Sequence, residues 1–212
     1  MSALPPDRRP LATRQAGWAQ RLAAALARTS ITPDQISGLS MLFAASGAAL
    51  LACWPTWLGL LDCAVCVQLR LLCNLLDGMV AMEGGKGSAL GKLWNELPDR
   101  VADTVLLVAL GYACGAPWLG WLGAVLALAT AYVRALGGAL GFAQDFRGPQ
   151  AKPQRMAVLT AACLLASGLT FAGQSALAVR VLWWAAIVIA VGSLLTCVRR
   201  TLALATQLRK AA

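Results

Sequence analysis

Residues 177–198 read LAVRVLWWAAIVIAVGSLLTCV, with a single charge, Arg180, near the start. A helix rising 1.5 Å per residue needs roughly 20 such residues to cross the hydrocarbon core of a bilayer, so this segment is long and apolar enough to span it. Outward from it, five more apolar segments recur near 36–54, 57–81, 93–114, 117–143 and 156–172. Of 212 residues, 59% are hydrophobic, 13% are charged and none is His. A soluble domain carries about a quarter charged residues and has no interior large enough for this much apolar surface. Lipid accepts it only if every backbone amide is bonded within its own segment, which makes the segments helices. The expected fold class is an all-α integral membrane protein. Residues 31–200 form a six-helix membrane domain, 1–30 a cytoplasmic juxtamembrane segment and 201–212 a cytoplasmic tail.

The formal net charge of +9 does not read as a nucleic-acid surface, because the cations alternate along the chain. Arg8, Arg9, Arg14, Arg21 and Arg28 precede the first span; Lys86 and Lys92 lie in the second connection; Arg147, Lys152 and Arg155 lie in the fourth. Arg199, Arg200, Arg209 and Lys210 follow the last span, whereas the turns at 55–56 and 116 have no cation and the fifth has only Arg180. Positive loops stay cytoplasmic, so both termini are expected inside. Three Trp pairs, Trp54 with Trp57, Trp118 with Trp121 and Trp183 with Trp184, fall at the charge-poor turns, as an outer interfacial belt would. Before the first span, Trp18, Leu22 and Leu26 repeat every four residues, and Arg14, Arg21 and Arg28 every seven. That pattern suits an amphipathic helix on an anionic leaflet; a basic tail is the simpler alternative.

Seven Cys, mostly within apolar runs, do not form a disulfide framework. Cys63 and Cys66 make a lone C-x-x-C with no second pair, and small membrane-buried hydrophobes account for them. Gly111 with Gly115 and Gly137 with Gly141 are small-x3-small pairs that let helices approach closely, within the chain or across a homodimer.

The acidic residues carry the functional signal. Five of the nine, Asp77, Glu83, Glu96, Asp99 and Asp103, fall between positions 77 and 103. Asp77 follows Trp57 by 20 residues, roughly 30 Å along a helix, which sets it at the cytoplasmic end of the second span. Asn74 lies about one turn earlier, and Asn95, Asp99 and Asp103 share one face of the third span. Two helices thus present oxygen donors toward one point. Clustered carboxylates beside hydrocarbon repel one another unless a hard cation or protons neutralise them, so Asn74, Asp77, Asn95, Asp99 and Asp103 are the candidate metal ligands. Helix capping accounts for Glu83 and Glu96 but not for Asp103 inside the span.

From Asn74 the chain reads N-x2-D-G-x2-A-M-x8-G-x3-N-x3-D. This resembles the signature D-x2-D-G-x2-A-R-x8-G-x3-D-x3-D of the CDP-alcohol phosphatidyltransferase family, with every spacer kept. Thr32-Pro33-Asp34-Gln35-Ile36-Ser37 is similar to the T-P-N-x-I-T start of that family's first helix. The resemblance implies an enzyme of phospholipid biosynthesis. It would transfer a phosphatidyl-type group from a CDP-linked lipid, CDP-diacylglycerol foremost, to a polar alcohol, releasing CMP with Mg2+ or Mn2+ as cofactor. It implies Asp99 as general base, and Gly78, Ala81 and Gly91 as small residues where the nucleotide approaches the backbone. Lys152 and Arg155, with Arg134 in the fourth span, would meet substrate phosphate; positive-inside charge is the plainer reading of the first two. Arg70, seven residues before Asp77, shares its helix face and is expected to pair with it or guard the site. Three positions depart from the signature: Asn74 and Asn95 replace Asp, and Met82 replaces Arg. An amide oxygen ligates a hard cation without adding charge, and a bacterial branch of the family shares these Asn forms; the resemblance thus implies a bacterial inner membrane as the location. A lipid- or nucleotide-binding scaffold and a small transporter are the competing classes, although no internal repeat supports the latter.

Overall fold

The computed structural model describes residues 15–83 and 91–211, without the side chains of Glu83, Lys92, Trp94 and Asn95. It forms seven helices among these residues: α1 (Gly17–Ala27), α2 (Pro33–Cys53), α3 (Trp57–Glu83), α4 (Gly91–Ala113), α5 (Pro117–Ala139), α6 (Lys152–Phe171) and α7 (Ser175–Ala211). Five of them, α2, α3, α5, α6 and α7, are long and apolar enough to cross a membrane. The chain is an integral membrane protein. The expected third span, α4, falls outside this group because Glu96, Asp99, Arg100 and Asp103 crowd its first half. It packs against α2, α5 and α7, its polar foot turned toward neighbouring helices.

Local chemistry sets the helix ends. Thr32 caps α2: its Oγ1 accepts from the Gln35 amide at 3.2 Å while Gln35 Oε1 accepts from the Thr32 amide at 3.1 Å, with Pro33 at the first helical position. α5 stops at Ala139, short of the expected 143. Gly141 adopts φ +84°, and the Phe142 amide donates back to the Gly137 carbonyl at 3.0 Å. α7 instead runs past 198 to Ala211, so much of the expected tail is helix. Residues 1–14 of the expected juxtamembrane segment lie outside the described residues, but α1 is present. It buries Ala19 and Ala23 against the α3 cluster of Leu76, Met79 and Val80, with Trp18 and Leu22 exposed.

The core is dominated by side chains such as Leu51, Leu60, Leu106, Leu110, Leu159 and Ile189. Of the four glycines expected at crossings, Gly111 behaves as one, and its partner is Gly120 of α5. A Cβ added to Gly111 would lie 2.7 Å from the Gly120 Cα, so the two backbones are in contact. Gly115 (φ +71°) and Gly141 turn the chain instead. The cysteines are free thiols; Cys63 meets Cys163 of α6, their sulfurs 3.9 Å apart, rather than acting with Cys66.

Candidate active site

α2, α3, α4 and α6 bring their polar side chains together. Ser37 and Ser40, one turn apart on α2, face α3: Ser37 Oγ donates to Asp77 Oδ2 at 2.8 Å, and Ser40 Oγ donates to Asn74 Oδ1 at 2.7 Å. The Gly78 amide donates to Asp77 Oδ1 at 2.5 Å. Asn74 Nδ2 bridges to α4, donating to Asp99 Oδ1 at 2.5 Å. The Asn74 amide thus ties α3 to Asp99 of α4, while Asp77, one turn further along α3, is held separately by Ser37 and the Gly78 amide. The Asn95 side chain lies outside the described residues. Pro98, without an amide hydrogen, interrupts the helical donor series just before Asp99.

Asp103 does not join that group. Its Oδ1 accepts from Arg70 Nη2 at 2.7 Å and its Oδ2 from Arg155 Nη2 at 2.9 Å. All three side chains are buried, the two arginines at 0% and 1% exposure. Arg70 donates further to the Met156 sulfur at 3.0 Å and lies 3.5 Å from Asp99. It thus faces α4 and α6, not its helix neighbour Asp77. Arg155 Nη1 donates to the Gln150 carbonyl at 2.7 Å. Lys152 pairs with Asp99 Oδ2. Both cations sit in the first turn of α6, rather than in a loop.

The segment before α6 is held against α7. Gly148 (φ +135°) sits so close that a Cβ there would lie 2.3 Å from Thr196 Cγ2, and the Gln150 amide donates to Thr196 Oγ1 at 3.0 Å. Arg200 of α7 donates to the carbonyls of Arg147 and Thr130, both at 2.8 Å. In the same segment Asp145 forms a two-point pair with Arg147, whose guanidinium holds that carboxyl below the usual carboxylate range. Arg134 points into the same region from α5, pairing with Glu96, donating to Gln144 Oε1 at 2.6 Å and lying over the Phe146 ring. Gly78 and Ala81 follow Asp77 on the last turns of α3, and Gly91 opens α4.

Among the described residues, no three His, Cys, Asp or Glu side chains form a group able to hold a metal. The donor chemistry nonetheless fits one hard cation. Asn74, Asp77 and Asp99 offer oxygens, and two carboxylates match a divalent charge. Asp77 is 4% exposed, yet no cationic side chain among the described residues lies within ion-pair distance of it. A buried carboxylate in that state calls for a counter-ion or a proton.

No family model matches the chain. It is 31% identical over 161 residues to a phosphatidylinositol phosphate synthase of Mycobacteroides abscessus, covering 69% of this chain and 68% of that protein. The chain belongs to the CDP-alcohol phosphatidyltransferase family. This phosphatidyltransferase is also 34% identical over 110 residues to a bifunctional IPC transferase and DIPP synthase of Rubrobacter xylanophilus, a match over 50% of this chain and 24% of that protein. Its fold is that of the phosphatidylinositol phosphate synthase of Mycobacterium tuberculosis solved with CDP-DAG bound. The TM-score is 0.70 at 22% identity, over 89% of this chain and 94% of that one. The same synthase in complex with manganese and citrate also aligns at TM-score 0.70 and 22% identity, over 89% of each chain. The phosphatidyltransferase is therefore an enzyme of phospholipid biosynthesis that transfers a phosphatidyl-type group from a CDP-linked lipid to an alcohol.

Sequence reasoning missed Ser37, Ser40 and the deep pairing of Arg70. The serines carried a signal, hydroxyls three positions apart just inside a capped helix; Arg70 carried its charge but no indication of its partner.

Proposed function

We propose that the enzyme uses CDP-diacylglycerol as donor and releases CMP, with Asn74, Asp77, Asn95 and Asp99 holding Mg2+ or Mn2+. The observation that carries this reading is the buried Asp77 carboxylate, without an ion pair among the described residues and one turn along α3 from Asn74, whose amide donates to Asp99. A bound divalent cation supplies positive charge opposite the donor's diphosphate. Asp99 accepts the proton of the attacking acceptor hydroxyl, because Asn74 holds and orients its carboxylate against α3. Lys152, beside Asp99 and 19% exposed, meets the diphosphate oxygens. Arg155 and Asp103 are positioning residues: their buried pair fixes the first turn of α6, and so the reach of Lys152. Gly78, Ala81 and Gly91 leave the backbone open to the nucleotide.

In the same reading α4 is the sixth span, entering the bilayer with its charges matched by neighbours. Both termini and the site face the cytoplasm of a bacterial inner membrane, in keeping with the alternation of cations. The test is purified protein with labelled CDP-diacylglycerol, Mg2+ or Mn2+ and a panel of polar alcohols. CMP release that needs both cation and acceptor supports the reading; none across the panel, from folded protein, refutes it.

A further inference from the structure

Among the described side chains of α3 and α4 near the site, Glu96 is a carboxylate that neither the cation set nor the deep arginine pair uses. It lies three positions before Asp99, on the adjoining turn of the same α4 face. Its side chain is 47% exposed, and it reaches two cations: Arg134 of α5, and Arg100, whose Nη2 lies 3.3 Å from Glu96 Oε1. Arg134 is consequently engaged on every side. Nη2 meets Glu96, Nη1 donates to Gln144 at 2.6 Å, and the Phe146 ring lies 5.3 Å beneath the guanidinium.

The neighbouring cations among the described side chains are engaged too. Arg70 and Arg155 are buried against Asp103, Lys152 sits on Asp99, and Arg147 is paired with Asp145. Arg200 donates to two backbone carbonyls. Opening the Lys152 pair accommodates the donor's diphosphate. A second phosphate, on the acceptor, would have to draw another of these described cations away from its present partners, and would meet the negative charge of Glu96 beside Asp99. A neutral polyol or an amino alcohol meets no such repulsion, and Glu96 accepts hydrogen bonds from its hydroxyls.

We propose that the acceptor of this enzyme is an unphosphorylated polar alcohol, and that Glu96 determines this by occupying Arg134 where an acceptor phosphate would otherwise bind. The proposal rests on the phosphatidyltransferase reading above and deepens it. It sets this chain apart from a relative named for a phosphorylated product, whose name says nothing of a residue equivalent to Glu96.

The experiment compares the full-length protein with Glu96→Gln. CMP release is followed with CDP-diacylglycerol, a divalent cation and paired acceptors: glycerol, inositol and serine against glycerol 3-phosphate, inositol 1-phosphate and phosphoserine. Wild type is expected to favour the unphosphorylated member of its preferred pair at least about tenfold in kcat/KM, and Glu96→Gln to shift that ratio toward the phosphate by about tenfold or more. A phosphorylated acceptor preferred by wild type, with the ratio unmoved in Glu96→Gln, overturns the proposal. Inorganic phosphate binding, measured by calorimetry on both proteins, provides a readout independent of turnover. Binding gained by Glu96→Gln and lost again in Glu96→Gln with Arg134→Gln supports the assignment; equal binding by wild type and Glu96→Gln defeats it. If no acceptor releases CMP, the catalytic reading fails, and calorimetry alone still decides whether Glu96 excludes phosphate.

Discussion

Replacing Asp103 with Asn keeps the shape of the side chain and removes the charge that two guanidinium groups share. Arg70 and Arg155 are 0% and 1% exposed, so neither reaches water when the carboxylate is lost. Each then faces an amide, which offers one acceptor oxygen in place of two charged ones, and the Nε of each arginine already lacks a partner. Breaking a buried pair from one side costs roughly 3–5 kcal/mol. For a chain of this size each kcal/mol moves the melting temperature by about 2–4 °C, so Asp103→Asn should melt roughly 6–20 °C below wild type. Tryptophan fluorescence during heating in detergent micelles measures the difference, with CMP release recorded at a temperature where both proteins are folded. A second variant separates charge burial from packing: Arg70→Met, Asp103→Leu and Arg155→Met together remove the triad. That variant should regain much of the lost stability while remaining poorly active, since Lys152 loses the anchored turn that carries it. A melting temperature for Asp103→Asn within about 2 °C of wild type, with unchanged turnover, would refute the reasoning.

Three further outcomes are expected. Asp77→Asn and Asp99→Asn should each abolish CMP release, and Asp77→Asn should also weaken Mn2+ binding in calorimetry; retained turnover in either removes that carboxylate from the site. Asn74→Asp with Asn95→Asp adds two carboxylates and should tighten divalent-cation binding, while the natural protein releases CMP without them; unchanged affinity would place the cation elsewhere. Lys152→Gln should raise the Michaelis constant for the CDP-lipid roughly tenfold or more, one charge-assisted bond being worth about 1.5–3 kcal/mol; wild-type kinetics would leave Lys152 a topological signal only.

The helical, membrane-embedded fold was legible because a bilayer selects for length and apolarity, both visible along the chain. α4 blurred that signal, since a helix whose charges are neutralised by neighbours need not be apolar throughout, and hydropathy does not count partners. Gly111 and Gly115 look alike as letters; the positive φ of Gly115 and the approach of Gly120 belong to three-dimensional structure. Asn74 and Asp77 could be grouped from spacing because they lie one turn apart on α3, and Asp99 could be added because the motif spacing and the turn between two successive spans bring it to the same end. The destination of Asp103 could not. Its partners stand 33 and 52 residues away, on helices whose rotation is set by packing throughout the bundle.

The Arg70–Asp103–Arg155 triad also bears on biogenesis. In the six-span reading an emerging α4 offers the insertion machinery Glu96, Asp99, Arg100 and Asp103 ahead of its apolar run 104–113, and a charge at mid-helix, where Asp103 stands, opposes entry into lipid by roughly 2.5–3.5 kcal/mol. Arg70 is already synthesised when Asp103 appears, but Arg155 follows 52 residues later. The nascent chain must therefore keep α4 half-matched beside α3 until α6 is made, and full charge balance is reached only as the C-terminal helices dock. Substitutions in the triad should accordingly reduce how much protein accumulates in the membrane, as well as the stability of what does.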